Sequence, residues 1–120
     1  MSLISSILVG IVALEHVYIL ILEMFLWTTP RAIRTFGTSK ELAGVTKPLA
    51  ANQGLYNGFL AAGLVWGLLY PDTAVGQQIQ LFFVICVLVA AIYGALTANK
   101  SILLKQGLPA LLALISLLVF

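Results

Sequence analysis

Charge is scarce in this chain. Six basic and four acidic residues are spread over 120 positions, 8% charged against 62% hydrophobic, whereas soluble domains hold about 25% charged and roughly 45–50% apolar residues. That shortage excludes an ordinary water-facing surface and makes a bilayer the expected solvent. The formal charge of +2 is too small to draw the chain to nucleic acid, which is not an expected partner. Cysteine is scarcer still. Cys86 stands alone inside "LFFVICVLVAAIYGAL", so no internal disulfide forms and the thiol reads as inert packing. One histidine with a few carboxylates lacks the paired His or Cys spacing of a metal site, so neither a metal nor a cofactor is expected. Internal repeats and low-complexity segments are also missing, and residues 1–120 read as a single integral membrane domain.

What is present is apolar length. A spanning helix needs ~20 mostly apolar residues to cross a hydrocarbon core of about 30 Å, and four windows qualify, at about 3–27, 49–69, 79–98 and 103–120. The breaks between them are "TTPR" with Pro30, "YPDTAVGQ" with Pro71 and Gly76, and "NKSILLKQG" with two lysines. Gly107 and Pro109 are placed to shift or kink the start of the fourth helix. The first apolar stretch runs for about 25 residues without a basic leader or a small-residue cleavage site, so it is expected to stay in the mature protein.

The basic residues all fall in alternate loops: Arg31, Arg34, Lys40 and Lys47 after the first span, Lys100 and Lys105 after the third. The intervening loop has only Asp72, read as a solvated turn residue. By the positive-inside rule the basic loops are cytoplasmic. The expected architecture is therefore an all-α, four-transmembrane-helix bundle, multi-pass in the cell inner membrane, with both termini exterior. The long first loop carries Ile33, Phe36 and Leu42 among its charges; a short helix on the membrane surface and a plain solvated loop both fit it.

Within these spans a few polar groups stand where lipid penalises them. "ALEHVYILILEMFLW" carries Glu15, His16 and Glu23, and an ionised carboxylate facing lipid costs about 2.5 kcal/mol or more. At about 100° per residue, His16, Glu23 and Trp27 fall within roughly 40° of one another on a helix, and Glu15 lies about 80–100° to one side. The second span presents Asn52, Gln53, Tyr56 and Asn57 on one broad face, at the depth of Glu23 and Trp27, and the third brings Tyr93 and Thr97 to the same half. A shared pocket opening toward the cytoplasm satisfies these donors and acceptors together. Gly54, Gly58, Gly63 and Gly67 allow close helix approach. Trp66 and Tyr70 read as interfacial belt residues at the opposite face.

The segments "LEHVYILILEMFLWTTPRAIRTF" and "NQGLYNGFLAAGLVWG" give the chain, over nearly its whole length, a resemblance to the bacterial integral membrane family catalogued as domain of unknown function 1304. The His, Glu and Trp of the first helix and the "NQGLYNG" of the second carry the likeness. It implies a four-helix integral membrane protein and brings no activity with it. In layout alone the chain is similar to small multidrug-resistance exporters, whose first span holds a membrane-embedded Glu; Glu15 would be its counterpart, although the long first loop and fixed charge bias depart from that pattern.

The residues themselves leave three functions open. The first is binding of a lipophilic or amphipathic small molecule, with or without proton-transfer catalysis by Glu15, His16 and Glu23. Trp27, Asn52, Gln53, Tyr56, Asn57 and Tyr93 would then hold the ligand, Trp27 over a cation or ring. The others are proton-coupled export and a structural or assembly role. Expected partners are membrane lipid, the lipophilic molecule and, because Glu15 diverges from His16, a second copy of the chain in a homodimer.

Overall fold

The structure, a computed structural model, describes residues 2–120. It is all-α. The helices are α1 (Leu3–Met24), α2 (Pro30–Phe36), α3 (Lys40–Leu69), α4 (Thr73–Thr97) and α5 (Leu108–Val119), the last preceded by a π-helical turn at Leu103–Gly107. α1 and α4 are long and apolar enough to cross a membrane, and Leu103–Val119 forms a shorter apolar helix.

Local capping chemistry corrects the ends of the apolar windows. α1 stops at Met24 instead of reaching Trp27, because the chain turns to start α2. Thr29 caps that helix, its hydroxyl accepting from the Ala32 amide at 3.4 Å, and Pro30 stands in its first turn, where a missing N–H costs nothing. Gly37 closes α2 at φ 65°. Its amide donates to the Arg34 carbonyl, and Thr38 N donates to the Ile33 carbonyl, the paired bonds of a glycine C-terminal cap. The first loop thus contains a short helix.

α3 begins at Lys40, well before Leu49, and passes through Pro48. Ser39 starts it, accepting the Leu42 amide on its hydroxyl at 3.2 Å and the Ala43 amide on its carbonyl at 2.8 Å. Asp72 does more than sit in a turn: Oδ1 accepts from the amides of Ala74 and Val75 at 3.0 and 3.3 Å, capping α4 and starting it at Thr73 instead of Ile79. Before α5 the Leu108 amide reaches back to the Leu103 carbonyl, so the distortion expected around Gly107 and Pro109 takes the form of a π turn.

By packing, the chain forms two compact units: His16–Phe59, and Leu60–Phe120 with the part of α1 up to Glu15. In the larger unit Val9 and Val12 of α1, Leu64 of α3, Val84 and Val87 of α4, and Ala110 and Ala113 of α5 share a core. Small residues let the helices close up. A Cβ on Gly63 would strike the Phe83 ring, and one on Gly67 would come within 2.7 Å of Gln80 Cγ.

Polar side chains pin this core in ways the hydropathy pattern does not announce. Ser5 and Ser116 share a buried hydroxyl bond of 2.7 Å between α1 and α5. Gln80 Nε2 donates to the Gly67 carbonyl at 3.0 Å, and Gln77 Nε2 donates to the Leu117 carbonyl at 2.6 Å. The Leu117 carbonyl is in the last turn of α5 and has no helical partner of its own, so Gln77 serves as its cap.

Candidate functional site

α1 buries one stripe. Ser5, Val9, Val12, His16, Ile19 and Glu23 are all buried, at spacings of three and four that keep them on one side of the helix. The opposite stripe, with Leu14, Tyr18, Ile21 and Phe25, is exposed. His16 and Glu23 are each 1% exposed, so the two ionisable groups expected to face protein do so.

In the smaller unit α3 answers with small residues. A Cβ on Gly54 would lie 2.7 Å from Met24 Cγ, 3.0 Å from Glu23 Cβ and 3.3 Å from the Leu20 carbonyl oxygen, and one on Gly58 would meet Leu20 Cδ1. This closeness brings Asn57, one turn along α3 from Gly54, to the Glu23 carboxylate: Nδ2 donates to Oε1 at 2.5 Å. An intramolecular hydrogen bond of this kind contributes about 0.5–1.5 kcal/mol net, and more is lost if one partner is removed and the other stays buried.

The rest of the polar set divides. Asn52 and Gln53 are exposed, and Tyr56 is 59% exposed with its ring edge-on to Phe59 at 5.7 Å. Of the "NQGLYNG" face, Asn57 is the residue that turns toward Glu23. Trp27 lies beyond the end of α1, half-buried; its Nε1 donates to Thr46 Oγ1 at 3.1 Å, and its ring packs on Phe36 with centroids 5.0 Å apart. Trp27 therefore ties α2 to α3. Glu15 and Tyr93 belong to the larger unit. Glu15 is half-buried and its Oε1 has no hydrogen-bond partner among the described residues, while Tyr93 is exposed, with the Thr97 hydroxyl donating to its carbonyl at 2.8 Å.

Chemically, the smaller unit holds a carboxylate and an imidazole two helical turns apart on one buried stripe, with a primary amide on the carboxylate. Asn57 is only half-buried, and an amide giving one hydrogen to Glu23 keeps a second hydrogen and its oxygen for another partner. Among the described residues no group of three or more His, Cys, Asp or Glu side chains gathers as metal ligands would. Sequence reasoning missed Ser5, Gln77, Gln80 and Ser116; for the two serines the signal was a polar residue inside an otherwise apolar run.

Residues 10–118 match the family described as a protein of unknown function, DUF1304. "Uncharacterized protein YpaA" of Lactococcus lactis subsp. lactis (strain IL1403) is 37% identical over 118 residues, covering 97% of this chain and 98% of that protein. No solved structure matches. With the match spanning α1 through α5, the chain belongs to the DUF1304 family.

Proposed function

We propose that this chain is a multi-pass protein of the cell inner membrane, four-spanning with both termini exterior, that binds a lipophilic or amphipathic small molecule beside the Glu23–Asn57 pair. The membrane reading is supported by α1 and α4, by the apolar Leu103–Val119 segment, and by the distribution of side chains. Leu3, Leu14, Phe25, Leu96 and Phe120 are each more than two-thirds exposed, while Ser5, His16, Glu23 and Gln80 are buried. Soluble proteins usually place ionisable groups outside and large apolar side chains inside.

The observation that carries the binding reading is Asn57. It donates to Glu23, is only half-buried, and stands beside exposed Gln53 and Tyr56 on α3. A ligand's polar head exchanging hydrogen bonds with Gln53 and Asn57 would feel Glu23 through one amide, and His16 stands further along the same stripe to take or give a proton. The test is to purify wild type and Glu23→Gln in mild detergent and compare the small molecules that come with them by mass spectrometry. Wild type should carry a species that Glu23→Gln lacks at unchanged helicity; the same species in both sinks the reading.

Glu15 supports a second element of the proposal. A carboxylate oxygen that is buried without a partner is costly in a membrane, and a second copy of the chain meeting α1 at Glu15 would supply one. The same feature favours proton-coupled export as the alternative activity, with Glu15 as the carrier.

A further inference from the structure

α2 turns the exposed Arg31 side chain toward α1. The guanidinium lies back along α1, and Nη1 donates to the Tyr18 hydroxyl at 3.2 Å on an exposed surface. Since that hydroxyl oxygen accepts from Arg31, its own hydrogen remains to donate. Two kinds of donor therefore converge at one exposed spot, and among the described residues no carboxylate pairs with Arg31. Beside Tyr18 on α1, on the side of the bilayer interior, Val17 is 41% exposed. The unit adds exposed Arg34, Lys40 and Lys47; of its two acids Glu23 is buried on Asn57, leaving Glu41 exposed.

We propose that Arg31 and Tyr18 form a headgroup site for an anionic phospholipid, the phosphate held by the guanidinium and phenol and the acyl chains running past exposed Val17 toward the bilayer interior. The site rests on the membrane reading above. Guanidinium geometry matches two phosphate oxygens at once, and the surplus of cations over Glu41 favours an anionic lipid over a zwitterionic one. Unlike a diffuse basic loop, the site combines a defined donor pair with adjoining apolar surface, as a phospholipid does in its own structure.

The test uses the full chain in nanodiscs of equal phosphatidylglycerol and phosphatidylcholine, with the lipids retained on release counted by native mass spectrometry. Wild type should keep phosphatidylglycerol preferentially. Arg31→Gln should lower that preference about fivefold, the effect of one cation at an anionic surface, with Tyr18→Phe and Arg31→Lys falling between. Lys100→Gln, which removes an exposed cation outside the site, should lower it by clearly less. Equal losses in Arg31→Gln and Lys100→Gln would overturn the site, as would equal retention of both lipids by wild type. Displacement of phosphatidylglycerol by millimolar inorganic phosphate would likewise overturn it, assigning the spot to a free anion. Release of the chain from vesicles by alkaline carbonate would overturn the membrane reading and the site together; firm embedding without lipid preference would overturn the site alone.

Discussion

Glu23 and Asn57 are the pair on which the proposed site depends, and their coupling is measurable. Asn57→Leu should destabilise the protein by roughly 0.6–2 kcal/mol if the bond is an ordinary interhelical one, while Glu23→Gln keeps the shape and an acceptor and should cost less. In a double-mutant cycle of Glu23→Leu with Asn57→Leu, read by denaturation in detergent, the two changes should be clearly non-additive, since the residues touch; additive losses would mean that the pair is not formed. The pairing was legible because both residues lie at matching depth on polar stripes. Which of the four α3 residues would meet Glu23 was not. Asn52, Gln53, Tyr56 and Asn57 spread over about 140° of the helix, and only Asn57 falls within about 40° of the face centred on Ala50, Gly54 and Ala61. The packed glycines, more than the polar residues, indicate the face that α1 covers.

Helices in this chain meet through small residues, and their ends obey caps. Gly54→Ala should destabilise by about 1–3 kcal/mol, as overpacking of a closed contact does, because the new methyl would press on Met24 and Glu23. Gly10→Ala is the matched control: its Cβ would meet nothing within 4 Å, so it should be neutral or stabilise by about 0.5–1 kcal/mol from helix propensity. Thermal unfolding of both variants in the same detergent checks the contrast, and equal effects would mean that Gly54 is not a packing site. The helices α1, α3, α4 and α5 overlap the four apolar windows but end elsewhere, because apolar length and helix termination are separate physics. Thr29 with Pro30, Gly37, Ser39 and Asp72 were visible cap signals, and they set the ends of α1 and α2 and the starts of α3 and α4. Gln77 and Gln80 show the reverse limit: their partners are backbone carbonyls of other helices, which no spacing within one helix reveals.

At the scale of the whole molecule two expectations remain proposals: a second copy at Glu15, and the four-span topology. If a partner chain satisfies Glu15, then Glu15→Leu should convert a dimer to a monomer in the detergent-corrected mass from light scattering, and an unchanged mass would dismiss the dimer. The topology underlies every functional reading offered, since the Glu23–Asn57 pair is unusual only where water cannot replace it. The direct measurement is sided cysteine labelling in intact cells, with Cys86 replaced by Ala and single cysteines introduced at Ser2 and Lys40. The account predicts that a membrane-impermeant maleimide labels the Ser2 position from outside and reaches the Lys40 position only after the membrane is opened. Labelling of Lys40 from outside, or of both positions from the same side, would contradict it.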